Sequence, residues 1–73
     1  MPLRPLLYRE VRRRLEAAGF VEVRKKGRHV KFVRNTEGTV RIAIVPNHRE
    51  IPVGTLRSIL RQAGFTSDEF DGL

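Results

Sequence analysis

The spacing of the hydrophobic residues changes along this chain, and that change restricts the possible folds more than any other feature. One set recurs at the spacing of a helical face: Leu7, Val11, Leu15 and Ala18. Gly19 follows the last of them, as expected for a residue that ends a helix. From Phe20 to Val45, apolar and polar residues alternate instead, which is the period of a strand. We therefore predict an amphipathic helix that begins after Pro5 and is followed by a sheet.

Turn-forming residues divide the alternating region into three strands. Gly27 marks the first turn, and Asn35-Thr36-Glu37-Gly38 marks the second. The predicted strands cover residues 20–24, 28–34 and 39–45, and the short connections between them favour antiparallel pairing. Pro46 is expected to end the third strand.

A second helix is predicted after the polar loop at residues 47–50. Pro52 suits the first turn of a helix, and Gly64 suits its end. Its apolar face consists of Leu56, Ile59, Leu60 and Ala63. Beyond it, the segment 66–69 has the pattern of a capping box and predicts a short helical turn over residues 67–71. The expected fold is α+β in the order α-β-β-β-α, with a three-stranded antiparallel sheet covered on one face by two helices, in one domain over residues 1–73.

Strand alternation also assigns side chains to the two faces of the predicted sheet. The inner face, beneath the helices, is expected to hold Val21, Val23, Val30, Phe32, Val40, Ile42 and Ile44. The outer face is expected to hold Arg24, Lys26, His29, Lys31 and Arg41, with Glu22 as its only acidic residue. Cations grouped around a histidine on an open face are suited to binding phosphate.

The overall charge favours the same type of ligand. Fifteen Lys and Arg residues face eight acidic ones, which gives a net charge of +7 and a pI of about 11.3. Only Lys25, Lys26 and Lys31 are lysines, and guanidinium groups bind phosphate with two hydrogen bonds. Nucleic-acid binding is therefore favoured over the alternative that the arginines merely keep the surface soluble.

Several classes of site and location are not expected. The chain has no cysteine, which excludes disulfides and thiol catalysis, and two histidines with scattered carboxylates do not predict a metal site. The apolar run in residues 1–7 is too short for a signal peptide, and no stretch is long enough to span a bilayer. We expect a cytoplasmic protein with no membrane contact and no small-molecule cofactor.

Three fragments of the sequence, in order and correctly spaced, resemble the HicA toxin family. They are Lys26-Gly27-Arg28-His29-x-x-Phe32, Val45-Pro46-x-His48, and the run from Ile51-Pro52-x-Gly54-Thr55-Leu56-Arg57 to Gly64. The resemblance extends from about Val11 to Phe70. Arg28 stands where serine is common in that family.

The resemblance implies a fold like that of double-stranded-RNA-binding domains. It also implies an mRNA endoribonuclease that a HicB-type antitoxin holds inactive, with His29 as its catalytic residue. The remaining site residues expected to contact RNA are Arg24, Lys26, Arg28, Lys31 and Arg41.

RNA cleavage without a metal needs a base for the ribose 2′-hydroxyl, an acid for the leaving 5′-oxygen and cations near the phosphorus. Histidine suits the first role. The second proton-transfer group is left open between His48 and Glu22. His48 is alternatively a brace at the start of the second helix.

The start of that helix, Gly54-Thr55, either binds a phosphate or simply begins the helix, with Gly54 allowing close packing. Two further readings of the whole chain are an RNA-binding module that does not cut, and a basic face that chiefly docks the antitoxin.

Overall fold

The computed structural model describes residues 3–73; Met1 and Pro2, which begin the segment 1–7 discussed above, lie outside the described residues. The elements in chain order are β1 (Leu6–Leu7), α1 (Tyr8–Ala17), β2 (Val21–Lys26), β3 (His29–Thr36), β4 (Thr39–Pro46), β5 (Glu50–Ile51), α2 (Val53–Ala63) and α3 (Ser67–Asp71). Strands β2, β3 and β4 form an antiparallel sheet in that order, and the two-residue strands β1 and β5 pair separately. The predicted α+β fold in the order α-β-β-β-α is confirmed. The pair β1–β5 was not predicted from the sequence.

All four residues of the predicted apolar face of α2 are buried. In α1 only Val11 and Leu15 are buried; Leu7 lies in β1, Ala18 follows the last residue of the helix, and both are half-buried. The rest of the core comprises Phe20, Val30, Phe32, Ala43, Val45, Ile51 and Phe70.

The short helix α3 begins with the predicted capping box. The Thr66 hydroxyl accepts a hydrogen bond from the Glu69 amide, and the Glu69 carboxylate accepts one from the Thr66 amide. No helix within residues 3–73 is both long and apolar enough to cross a bilayer.

The predicted inner face of β4 is wrong. Ala43 and Val45 are buried, whereas Val40, Ile42 and Ile44 are exposed. The turn between β3 and β4 explains this result, because Glu37 and Gly38 both have positive φ (50° and 81°), as a two-residue type I′ turn requires. This turn places Thr36 opposite Thr39, and Phe32 is therefore opposite Ala43. Since a shift of one residue exchanges the two faces of a strand, the predicted assignment was one residue out of register.

The predicted inner face of β2 is also wrong, since Val21 and Val23 are 61% and 55% exposed. The pairing with β3 shifts between Glu22 and Arg24, so Val23 is an extra residue that forms a β-bulge. Before the bulge, Val21 lies opposite Val33; after it, Arg24 lies opposite Lys31. The bulge therefore allows Arg24 to share a face with Val21, three residues earlier.

Candidate active site and nucleic-acid interface

The outer face of the sheet is built as rows that run across the three strands. The first two rows are Lys26–His29–Pro46 and Arg24–Lys31–Ile44. The next two are Val21–Val33–Ile42 and the pair Asn35–Val40. Neighbours in one row have Cα atoms about 5 Å apart, and successive rows lie roughly 7 Å apart along the strands. We call Arg24, Lys26, His29 and Lys31 the basic end of this face, and Val21, Val33, Val40 and Ile42 the aliphatic end.

A tight turn positions His29 at the rim of the basic end. Gly27 has φ +58°, which a side chain would disfavour, and it allows Lys26 and His29 to lie directly opposite each other. The carbonyl of Arg28 in the same turn accepts a hydrogen bond from the Asn47 amide. This bond joins the turn before His29 to the loop that carries His48. Both histidines are exposed and lie at the same end of the sheet.

The placement predicted for four of the site residues is observed. Arg24, Lys26, His29 and Lys31 share the outer face, and the exposed Arg28 lies in the adjoining turn. Three cationic residues therefore lie in the row of His29 or in the next row on the same face. The roles predicted for these residues stay predictions.

Arg41 and Glu22 do not lie on that face, and their predicted placement is wrong. Arg41 is opposite Arg34, and its guanidinium carbon lies 3.0 Å from the position that a Cβ on Gly64 would occupy, at the end of α2. Glu22 is opposite the buried Phe32 and pairs with Arg12 of α1 at 3.8 Å. Both assignments had followed from strand alternation alone. Glu22 is therefore withdrawn as a proton-transfer group beside His29, and Arg41 is withdrawn from the RNA-binding set.

The reading of Gly54 as a site of close packing is wrong as well. A Cβ built on Gly54 meets no atom within 4 Å. Gly54 lies in the first turn of α2 and faces open space, so a larger residue would fit there.

Sequence reasoning missed the aliphatic end because Val21, Val40 and Ile42 were assigned to the inner face of the sheet. All the large hydrophobic side chains that are exposed in the described chain lie on the outer face or at its bulge: Val21, Val23, Val40, Ile42 and Ile44. The amide of Ile44 points away from β3 and donates to the side-chain oxygen of Gln62 at 2.9 Å, which closes that part of the sheet edge. An aliphatic surface next to a row of cations is suited to contact with another protein.

The arginines of α1 are mostly engaged with carboxylates. Arg13 and Arg14 donate to Glu10 at 2.6 and 2.8 Å, and Arg12 lies 3.4 Å from Glu16. Hydrogen bonds from Arg13 and Arg14 lower the pKa of Glu10 to about 2. The positive charge of residues 12–14 is thus largely neutralised within the helical layer. No carboxylate makes such a pair with the cations of the basic end among residues 3–73.

Metal-ligating residues are not grouped in the described part of the chain. No three His, Asp or Glu side chains of residues 3–73 come together in a way that could hold a metal ion.

A comparison with protein families matches residues 8–65 to the HicA toxin of bacterial toxin–antitoxin systems. The match covers α1, the whole sheet and α2. The chain belongs to the HicA toxin family. It is therefore the toxin component of a toxin–antitoxin system, whose activity a partner is expected to control. A search of curated proteins finds no match.

Proposed function

We propose that this HicA-family toxin is an endoribonuclease that cleaves mRNA in the cytoplasm without a metal ion, with His29 as the catalytic residue. The observation that carries the proposal is the position of His29 at the basic end, directly opposite Lys26 and one row from Lys31. A surface that only binds phosphate gains nothing from a titratable imidazole among permanent cations, whereas proton transfer requires one.

The reaction uses the ribose 2′-hydroxyl as the nucleophile. His29 accepts its proton while the 2′-oxygen forms a bond to phosphorus and the bond from phosphorus to the 5′-oxygen breaks. The products are a 2′,3′-cyclic phosphate and a 5′-hydroxyl, which takes up one proton. Lys31, Lys26 and Arg24 stabilise the additional negative charge on the phosphoryl oxygens. His48 is the remaining candidate for protonating the 5′-oxygen, since the Asn47–Arg28 hydrogen bond holds its loop against the turn before His29.

We also propose that a HicB-type antitoxin inhibits this toxin by covering the outer face. The aliphatic end supports this part, because aliphatic side chains provide apolar contact area and no ring on which a base could stack. The sheet edge supports it as well. β4 is an edge strand, and at Ile44 its backbone amide is already bound by the Gln62 side chain. The backbone of Ile42, two residues earlier, also points away from β3 and lies outside that contact, so a partner strand could pair with it.

Cleavage by the purified toxin tests the catalytic assignment. We expect it to cut single-stranded mRNA in EDTA and to leave 2′,3′-cyclic phosphate ends, and His29→Ala to be slower by roughly 10²–10⁴-fold with little change in RNA affinity. Arg57→Ala is the control, since it removes an exposed side chain of α2 outside the candidate site. His48→Ala should also slow cleavage if His48 protonates the 5′-oxygen. Chelator-sensitive cleavage would contradict the metal-free mechanism. Absence of cleavage by folded wild-type protein would instead favour a non-catalytic RNA-binding module.

A further inference from the structure

A notch opens beside the basic end, where the start of α1 meets the loop between β4 and β5. It has a volume of about 270 Å³ and is lined by Leu7, Tyr8, Arg9, Asn47, His48 and Arg49. Its walls are fixed by the backbone: the Tyr8 amide donates to the Arg49 carbonyl at 3.0 Å, and Leu7 pairs with Glu50 between β1 and β5. The notch is therefore built into the fold, although none of its residues belongs to the three-stranded sheet.

The notch lies next to His29. Pro46 is directly opposite His29 in the sheet, and Asn47 and His48 follow Pro46 in the chain. With about 5 Å across the strand pair and 3.8 Å per residue along the chain, the Cα of His48 is at most roughly 13 Å from that of His29. The hydrogen bond from the Asn47 amide to the Arg28 carbonyl holds the two parts together. When an RNA strand is bound with its scissile phosphate at His29, the adjacent nucleotide can therefore reach the notch.

The side chains that line the notch are suited to a nucleotide. Among residues 3–73, Tyr8 and Phe65 are the only aromatic residues that are not buried, and both are half-buried. Of these two, only Tyr8 lines the notch. Burial, and secondly the nearness of Glu22, raises the pKa of Tyr8, so its hydroxyl stays protonated at neutral pH. Arg9 is the one α1 arginine without a carboxylate partner among residues 3–73.

Cations outnumber carboxylates at the notch. Arg9 and Arg49 line it and no carboxylate does, although Glu22 and Glu16 lie near enough to Tyr8 to raise its pKa. The amide of the Asn47 side chain offers both a donor and an acceptor, which the edge of a base requires.

We infer that this notch is a nucleotide-binding subsite for the RNA strand, in which Tyr8 stacks on a base and Arg9 and Arg49 bind its phosphate. The identity of the ligand as RNA rests on the proposed function. Stacking on an aromatic side chain and charge pairing with the backbone are the two means by which single strands are held without a fixed sequence. The outer face of the sheet supplies only charge pairing, because its apolar residues are aliphatic. The notch adds an aromatic side chain for stacking, beside the bond to be cut.

The composition of the chain provides a direct test. Tyr8 is the only tyrosine and there is no tryptophan, so the tyrosine emission of the protein reports on this one position. The titration uses the full chain with His29→Ala and a short 2′-O-methyl RNA, which cannot be cleaved. We expect RNA to quench the emission with the same midpoint that fluorescence anisotropy of a labelled RNA gives.

Variants of the notch separate stacking from charge. Tyr8→Leu keeps apolar bulk and should weaken binding about tenfold or more, whereas Tyr8→Phe should bind like the parent. Arg9→Ala and Arg49→Ala should each reduce the slope of log affinity against log salt by about 0.7 and should leave the fold intact, since both side chains are exposed. Arg57→Ala is the matched control, because Arg57 is an exposed arginine of α2 that lines a different cavity.

Binding without quenching, together with unchanged affinity in Arg9→Ala and Arg49→Ala, would overturn the inference. If wild-type protein cleaves RNA under that result, the subsite fails while the proposed function stands. If the notch variants lose affinity but wild-type protein never cleaves, the subsite stands and the proposed function fails.

Discussion

Replacing Arg24 by alanine should flatten the salt dependence of RNA binding, whereas replacing Arg41 should leave it unchanged. Both are arginines of the sheet, but Arg24 lies on the outer face beside Lys31 and Arg41 lies on the opposite face beside Gly64. Each phosphate neutralised on a single strand contributes roughly 0.7 to the slope of log affinity against log salt. Arg24, Lys26, Arg28 and Lys31 together therefore account for a slope of about −2 to −3.

The assay is fluorescence anisotropy of a labelled single-stranded RNA, titrated at several salt concentrations in a His29→Ala background. Arg24→Ala and Lys31→Ala should each bring the slope closer to zero by about 0.7. Arg13→Ala is a second control, because its guanidinium is bound to Glu10 at 2.6 Å and is already compensated. The two notch arginines would add about −1.4 to the total slope if the subsite is occupied. If Arg13→Ala or Arg41→Ala changes the slope of log affinity against log salt while Arg24→Ala and Lys31→Ala do not, the assignment of the basic end as the RNA site is refuted.

Two further predictions concern stability and inhibition. The pKa of Glu10 is lowered from 4.5 to about 2, so its ion pairs stabilise the fold fully above about pH 5, and this contribution is lost as the pH falls towards 2. Glu10→Gln should therefore lower the melting temperature by about 5 °C at pH 7, for a loss of about 1 kcal/mol after solvent screening, and should match wild type near pH 2; an equal difference at both pH values would contradict this origin. Val40→Asp, at an exposed aliphatic position two rows from Lys31, should leave RNA cleavage intact and weaken inhibition by the antitoxin at least tenfold, measured against Arg57→Asp. Undiminished inhibition would place the antitoxin elsewhere.

The helices and the order of elements could be predicted because their signals are local. Leu56, Ile59, Leu60 and Ala63 fit only one helical face, and glycine or proline lies at the ends of most elements. The sheet faces depend on register, which alternation alone does not fix. In β4 the run Ile42-Ala43-Ile44-Val45 is apolar on both faces, so either alignment looks acceptable. The two-residue turn at Glu37-Gly38 was the signal that could have decided it.

The bulge at Val23 illustrates a different limit. A residue inserted into one strand has no signature in an alternating pattern, because it is recognised only through the partner strand. Arg24 and Lys26 were nevertheless placed on the correct face. The predicted alternation put Val21 and Val23 on the inner face, which is wrong for both. The extra residue at the bulge then exchanges the two faces, so Arg24 and Lys26 return to the outer face that was predicted for them. The assignment of Arg41 received no such compensation, and it was wrong.

The distribution of charge connects the fold with both proposed ligands. Carboxylates concentrate around α1 and α3, where Glu10 and Asp71 pair with Arg14 of the helical layer. Residues 20–46 carry seven Lys and Arg against Glu22 and Glu37, so most of the net charge of +7 belongs to the sheet and its turns, which favours the proposed binding of phosphate there. On the outer face the aliphatic end begins one row, roughly 7 Å, from Lys31. A partner protein that covers Val33 and Ile42 would also cover the space above Lys31, so the proposed docking on the aliphatic end would exclude the proposed RNA binding at the basic end. Inhibition by this competition would need no conformational change in the toxin.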